Sequence, residues 1–165
     1  MKTLTRPASV LLLAGTIAAA SANADTNSAE FHLSLRLRSE YVSDAAFARP
    51  ADAGTLRTRL SFKSPRWAGW AVLAEVDDVR AYQADYNSTR NGRTDRPIVA
   101  DPVGTDLNVA AVEWQKGGRR IVLGRQRANL DNQRFIGSSG WRQNEQTFDG
   151  ATVTLPLGSA IDLHY

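Results

Sequence analysis

Arginine and lysine recur at alternate positions in two stretches of the chain, and this spacing decides what chemistry they can do. Arg36 and Arg38 lie in the first stretch, and Arg57, Arg59 and Lys63 lie in the second. Residues two apart share one face of an extended strand, so each stretch would present a row of cations. The guanidinium fork pairs with a carboxylate through two hydrogen bonds and stays charged at physiological pH. Such rows are suited to binding or guiding a carboxylated solute.

Acidic side chains follow the same spacing, with Glu40 after the first row and Glu75, Asp77 and Glu113 further along. Two carboxylates on one face resemble the acid pair of a glycosidase, but acids lining a pore have the same spacing. The chain has no cysteine and two histidines, too few for a convincing metal cluster. No serine lies near a histidine in a nucleophile motif. We therefore expect no enzyme, no catalytic residue, no metal and no cofactor.

The elements that must position these side chains have a period of two residues. Residues 31–38 alternate strictly between apolar and polar, and the pattern returns at residues 56–63. Residues 70–79, 107–114, 120–127 and 146–155 continue it before a seventh stretch begins at 160–165. This period indicates strands with two different faces. Ile121 and Leu123 alternate in step with Arg125 and Arg127, which predicts a bulge or kink at Gly124. The facing of that strand stays open.

The connections between these stretches alternate in length. Residues 43–54, 80–106 and 128–145 are long connections, whereas residues 64–66, 116–118 and 156–159 are short. Outer-membrane barrels have short periplasmic turns and longer outer loops. The strands, of about eight to ten residues, approach the ~9–11 that a tilted membrane strand needs. The sequence predicts an all-β fold, a transmembrane antiparallel up-and-down β-barrel, of which this chain supplies about six to seven strands.

If the apolar side of each strand faces lipid, the polar side faces a water-filled lumen. Aromatic residues near the strand ends would then form an interfacial girdle. Five cations would share one patch of the lumen, with a row of acids opposite, although these charges could also simply pair and fill the space. The loop at residues 131–149 either folds inward as a constriction or stays a solvated outer loop. The predicted lumen-lining, substrate-contacting residues are Arg36, Arg38, Arg57, Arg59, Lys63, Glu75, Asp77, Glu113, Arg125 and Arg127.

The first 24 residues have the organisation of a secretory signal peptide. Lys2 and Arg6 precede an apolar stretch at residues 10–20, and Ala22, Asn23 and Ala24 fit the cleavage pattern. Removal of this segment lowers the net charge from +3 to +1, because it carries two basic residues and no acidic one. A charge near zero does not indicate nucleic acid as a partner.

The expected domains are a signal peptide at residues 1–24 and the N-terminal part of an outer-membrane barrel at residues 25–165. Seven strands make an open sheet, and an open edge in lipid leaves backbone groups without partners. Bacterial single-chain barrels use even strand numbers. We therefore expect that the chain is truncated and belongs to a longer barrel.

Three stretches resemble the alginate-export-type outer-membrane porins. They are residues 85–102, with DYNSTRNGRTD and VADP; residues 123–135, LGRQRANLDNQRF; and residues 140–149, GWRQNEQTFD. The resemblance extends over residues 35–155, roughly, and therefore covers most of the predicted strands. It implies a many-stranded monomeric barrel with an arginine-lined pore for an anionic polymer such as alginate.

The resulting hypothesis is an outer-membrane channel for anionic sugars, alginate-like uronates or other small solutes. Its expected partners are outer-membrane lipid, an anionic sugar or oligosaccharide and the barrel-assembly machinery, with no nucleic acid. The alternative is a soluble periplasmic or surface carbohydrate-binding β protein. The two differ in the position of the apolar rows, which face lipid in a barrel and fill the core of a soluble sandwich.

Overall fold

The computed structural model describes residues 9–18, 27–130, 132–156 and 162–164. They form one sheet in which every strand pairs antiparallel with the next along the chain. The sheet is open, and the predicted up-and-down antiparallel β fold is confirmed. Its strands are β1 (Ser9–Ala18), β2 (Glu30–Ser43), β3 (Ala51–Lys63), β4 (Trp70–Asp85), β5 (Gly104–Lys116), β6 (Arg119–Gln126), β7 (Phe148–Pro156) and β8 (Asp162–His164).

The strands after residue 25, β2 to β8, agree with the predicted six to seven. Strands β2 to β5 have 13 to 16 residues and are longer than predicted, because pairing continues beyond the apolar rows toward the long connections. β1 is an additional edge strand within the predicted signal peptide. The cleavage site at residues 22–24 lies outside the described residues, as do residues 157–159 of the last short turn. Among the described residues, no helix has the length and apolarity required to cross a membrane.

The two faces of the sheet are inverted relative to a water-soluble protein. On the outer face, Leu37 and Leu60 are 52% and 50% exposed. On the inner face, Arg57 and Asp77 are 2% and 4% exposed, in the class of side chains that soluble proteins keep outside. Apolar residues outside and charged residues inside are the arrangement of a barrel wall in lipid, not that of a sandwich with an apolar core.

Aromatic side chains lie at both ends of the outer face. Ten residues of β2 separate Phe31 near the short turns from Tyr41 near the long connections. At ~3.4 Å per residue and a tilt of ~40°, these residues span about 26 Å of height, close to the ≈ 25 Å apolar band of such barrels. The aromatic residues of the outer face are Phe31, Phe62, Trp70 and Trp114 toward the short turns, and Tyr41 and Tyr82 toward the long connections.

The short turns explain how consecutive strands stay in register. Gly117 and Gly118 have φ angles of 58° and 76° and close the hairpin between β5 and β6. Positive φ at both central residues defines the type I′ turn, whose twist matches that of paired strands. The hairpin turn predicted at residues 116–118 is therefore confirmed. Ala68 and Gly69 have positive φ as well, in the turn that joins β3 to β4.

The long connections gather at the opposite end of the sheet. The buried ring of Tyr86 packs with Ala51, Ala53 and Val99, and its hydroxyl donates to the Asp101 carbonyl at 2.8 Å. Burial raises the pKa of this phenol, and the nearby Asp101 charge adds to the effect. This small cluster fixes the connection between β4 and β5, and it thereby sets the position of Asp101 above the inner face.

Of the bulge or kink predicted at Gly124, the bulge is absent. The β5–β6 pairing runs without a register shift from Lys116 opposite Arg119 to Ala110 opposite Arg125. Glycine at position 124 instead allows β5 to pack closely against β6, because a Cβ there would overlap the carbonyl oxygen of Ala110. The register irregularities of the sheet lie elsewhere, in the β3–β4 and β4–β5 pairings.

Candidate functional site on the inner face

The inner face carries a row of arginines that cross-strand pairing brings together. Arg36 of β2 is the register partner of Arg57 in β3, and Ser34 is the partner of Arg59. Because each strand places alternate residues on this face, Arg38 continues the row toward the long connections. We name this set the arginine ladder; its members are Arg36, Arg38, Arg57, Arg59 and Arg127.

Arg59 is the most completely paired member of the ladder. Its Nε and Nη2 donate to the two carboxylate oxygens of Asp77 at 2.7 and 2.6 Å. Its Nη1 donates to Glu145 at 3.0 Å. Two-pronged pairs of this kind fix the orientation of the guanidinium as well as its charge. Arg59 therefore anchors the β3–β4 part of the inner face.

Glu75 collects donors from three different elements. Ser61 and Asn108 each donate to its carboxylate at 2.7 Å, and Arg127 donates from beyond the end of β6. Arg59 lies 3.1 Å away. Asn108, Arg127 and Arg59 share the carboxylate oxygen Oε1, and Ser61 donates to Oε2, so both oxygens have fixed partners. Glu75 is held as a structural anion, so the sequence-level alternative of a Glu75 and Asp77 catalytic pair finds no free carboxyl here.

The connection between β6 and β7 folds back onto the ladder. We name residues 140–145 the inserted segment. The fully buried Gln143 fastens it, with Nε2 donating to the Thr55 hydroxyl at 2.9 Å and to the carbonyls of Thr55 and Arg36 at 3.2 Å. Arg36 donates in return to the carbonyls of Gly140 and Arg142. Of the two alternatives for this loop, the structure has the inward fold.

Glu145 ends the inserted segment among three arginines of the ladder. Its carboxylate lies 2.5 Å from Arg127, 3.0 Å from Arg59 and 3.5 Å from Arg57. Burial acts to raise the pKa of this carboxyl, but the hydrogen bonds from Arg127 and Arg59 outweigh it and hold the pKa below its ordinary value of 4.5. Glu145 is therefore ionised at neutral pH and shares its charge among three cations.

Arg57 is less well compensated than its neighbours. It is buried, its Nη1 contacts are long, at 3.4 and 3.5 Å, and its Nε has no hydrogen-bond partner among the described residues. Arg36 and Arg59 flank it on the same face. A buried donor without a partner loses the free energy of hydration that it had in water. Of the ladder positions, Arg57 gains most from a further anion.

Other parts of the inner face complete the site at the long-connection end. Arg38 pairs with Glu40 and with Asp101, and Asp101 also accepts from the backbone N–H of Gln143 at 3.2 Å. The half-exposed ring of Trp141 lies 4.4 Å from the guanidinium carbon of Arg142, in a cation–π contact. An exposed aromatic ring beside cations thus borders the ladder.

Seven of the ten predicted lumen residues lie together on the inner face. They are the five arginines of the ladder with Glu75 and Asp77. Three predicted residues, Lys63, Glu113 and Arg125, lie apart from this group.

Lys63 and Glu113 share the inner face but lie toward the short turns. Lys63 pairs at 3.0 Å with Glu30, its register partner at the end of β2. Glu113 pairs at 2.6 Å with both Arg66 and Arg120. The prediction that five cations share one patch is therefore wrong for one residue, Lys63, which lies apart from the four arginines. The expected row of acids opposite the cations is instead interleaved with them, since Asp77 is the direct register partner of Arg59.

The predicted lumen position of Arg125 is wrong. Because β6 keeps its register through Gly124, Arg125 shares the outer face with Leu123 and is 42% exposed. It forms a two-pronged pair at 2.8 Å with Asp149, its register partner in β7. This pair lies on the long-connection side of the apolar rows, where charges on the outer face meet water or lipid headgroups.

Sequence reasoning missed the residues that complete the network, Asp101, Gln143 and Glu145. They lie in connections, where no strand period marks them. The signal available was a glutamate and several amides in a loop beside a long arginine row. Among the described residues, no group of three or more acidic or histidine side chains is placed to hold a metal ion.

Electrostatically, the site is a balanced array. The five arginines of the ladder meet five carboxylates, those of Glu40, Glu75, Asp77, Asp101 and Glu145. Three of these carboxylates belong to strands, and two are delivered by connections. An array of fixed cations with exchangeable counter-charges can pass an anion from one fork to the next.

Comparison with known proteins gives one result. The family model described as alginate export matches residues 27–159. No curated protein and no solved structure matches the chain. The matched residues include every strand from β2 to β7 and the whole arginine ladder. The chain belongs to the alginate-export family of outer-membrane transport porins.

Proposed function

We propose that this protein is an outer-membrane channel through which carboxylated sugars, alginate-like uronates or similar anionic solutes pass along the arginine ladder. The inverted sheet carries this proposal, since its apolar face is turned outward and its guanidinium row lines the opposite face. Acyl chains cover the outer face, and water and solute occupy the inner one. The export signal at residues 1–24 and the barrel-assembly machinery deliver the chain to the membrane.

The geometry explains why a uronate suits the ladder. Cross-strand partners such as Arg36 and Arg57 extend their guanidinium groups from neighbouring strands whose backbones are about 4.8 Å apart. A carboxylate leaving one fork thus has the next within reach. Neutral sugars lack the charge that the forks select.

The experiment is conductance through the protein, purified from the outer membrane and placed in planar bilayers. We expect open channels that prefer anions and are blocked by hexauronate made from alginate. Charge reversal at two ladder positions, Arg57→Glu with Arg59→Glu, should convert the preference toward cations. Cation selectivity of the unaltered protein, or an absence of conductance, would contradict the proposed function.

The matched control is Arg125→Glu, because Arg125 is an arginine of the same sheet on the outer face. It should leave ion selectivity unchanged within about twofold, since it lies behind the wall and is screened by solvent. A selectivity change as large as that of the ladder variant would contradict the facing of β6.

A further inference from the structure

We propose that Glu145 is a tethered competitor of the transported anion, which opens the ladder by giving up its arginines to an incoming carboxylate. The inference rests on the proposed function and specifies how the site is regulated. A uronate carboxylate and the Glu145 carboxylate are the same chemical group. The structure shows that group already seated where three guanidinium forks converge.

The first argument is the origin of Glu145. Glu75 and Asp77 are strand residues and cannot leave Arg59 without distorting the wall. Glu145 instead arrives on a connection that crosses the inner face, 86 residues along the chain from Arg59. A carboxylate on a connection can exchange with a ligand while the sheet stays intact.

The second argument is the quality of its contacts. Glu145 is close to Arg127 and Arg59, but it is 3.5 Å from Arg57, whose Nε stays without a partner among the described residues. The tethered carboxylate therefore satisfies two of its three arginines well and the third poorly. The position of a free carboxylate is not restricted by a loop, so it can approach Arg57 directly.

The third argument is the way in which the inserted segment is held. Gln143 and Arg36 fasten it through hydrogen bonds to backbone carbonyls and one hydroxyl, without an ion pair. These contacts keep Glu145 near the ladder whether or not its carboxylate is bound. Tethering of this kind gives the competitor a high local concentration, so that it returns once the solute has moved on.

The test compares Glu145→Gln with the unaltered protein in planar bilayers. Glutamine keeps the shape and an oxygen acceptor but removes the charge that competes. We expect the anion preference at 0.1 M salt to be roughly threefold to tenfold higher in Glu145→Gln than in the unaltered protein. At 1 M salt this difference should become smaller, because the charges are screened. The apparent Kd for block by hexauronate should fall roughly tenfold, because the competing state is removed. An unchanged Kd would overturn the inference.

Asp149→Asn is the control, because Asp149 also accepts two hydrogen bonds from an arginine but lies on the outer face. It should change neither quantity by more than about twofold. An equal effect of both variants would mean that Glu145 acts only through the total charge of the protein. If the unaltered protein shows no anion preference and no block, the proposed function fails; if it shows both but Glu145→Gln does not differ, only this inference fails.

A second measurement does not depend on the glutamate variant. The chain has no cysteine, so Asn144→Cys places one thiol beside Glu145 in the half-buried inserted segment. Hexauronate should raise the rate of labelling by a charged thiol reagent, and maltohexaose, which is neutral, should not. Labelling that hexauronate leaves unchanged or slows would contradict the release of Glu145 by the incoming carboxylate.

Discussion

The two faces of this sheet have opposite requirements, because the outer face presents apolar side chains and the inner face carries closely paired charges. The outer face exposes leucine, valine and aromatic side chains, and its charged pairs include Arg125 with Asp149 and Arg80 with Asp78. The inner face sets five arginines, of which Arg38 and Arg57 are buried, among five carboxylates. The outer face needs only the right side chains, whereas the inner face also needs connections that return to it. The comparison shows that the strands determine which side chains face the lumen, whereas carboxylates from the loops complete the charge balance of the pore.

The largest expected effect separates an inner ion pair from an outer one. Arg59→Met leaves Asp77 without its two-pronged partner and takes one of three arginines from Glu145, and removal of one partner from a buried pair costs about 3–5 kcal/mol. Arg125→Met removes an exposed pair, which is worth only about 0.2–1 kcal/mol. Urea unfolding in lipid vesicles measures both. Equal losses would contradict the difference between the faces.

A charge placed on the outer face should have the next largest effect. Leu60 lies half-exposed between Thr58 and Phe62 on that face, and Leu60→Arg should cost about 2–4 kcal/mol if lipid covers it. Leu60→Met, which keeps the volume, should cost less than about 1.5 kcal/mol. The measurement is again the unfolding free energy in vesicles. A stable, water-soluble Leu60→Arg variant would favour the carbohydrate-binding alternative.

Loss of the anchor of the inserted segment should have a smaller, local effect. Gln143→Ala leaves the carbonyls of Thr55 and Arg36 with one donor fewer, which costs about 1–3 kcal/mol. Because only the segment depends on this anchor, the readout is trypsin cleavage after Arg142, which should accelerate. Gln146→Ala removes an exposed amide of the same loop and should leave the cleavage rate unchanged.

Much of the outer face and of the ladder was predictable because it depends on local period. The alternation of residues 31–38 and 56–63 placed Arg36, Arg38, Arg57 and Arg59 on one face, and the glycine pair at residues 117–118 fixed a turn. These features need only neighbours within a strand or hairpin.

The remainder depended on contacts that no local pattern encodes. Arg125 alternates in step with Leu123, so only an irregularity at Gly124 would turn it into the lumen, and β6 keeps its register there. Its partner Asp149 follows only after a long loop. Gln143 and Glu145 reach residues 86 to 107 positions away. Their role depends on how a connection folds back, and the sequence left that alternative open.

The smallest expected effect is a pH dependence that tests the link between the inserted segment and the ladder. The pKa of Glu145 lies below 4.5 because Arg127 and Arg59 stabilise the carboxylate against the opposing effect of burial. A lowered pKa means that the interaction is fully present above the ordinary pKa and is lost as the pH falls through the folded value. Between pH 7 and pH 5 the anion preference of the unaltered protein should therefore differ from that of Glu145→Gln by a constant factor. The two should converge only as the pH falls below 4.5 and through the lowered pKa of folded Glu145, because protonation removes the same charge that the substitution removes.

The comparison is made as a ratio because any effect of acid on other groups of the inner face changes both proteins and leaves the ratio largely unaffected, whereas protonation of Glu145 occurs in the unaltered protein alone. A ratio that stays constant as Glu145 takes up its proton would show that Glu145 does not set the charge that the solute meets. Convergence that begins well above pH 4.5 would contradict the tight pairing of Glu145 with Arg59 and Arg127.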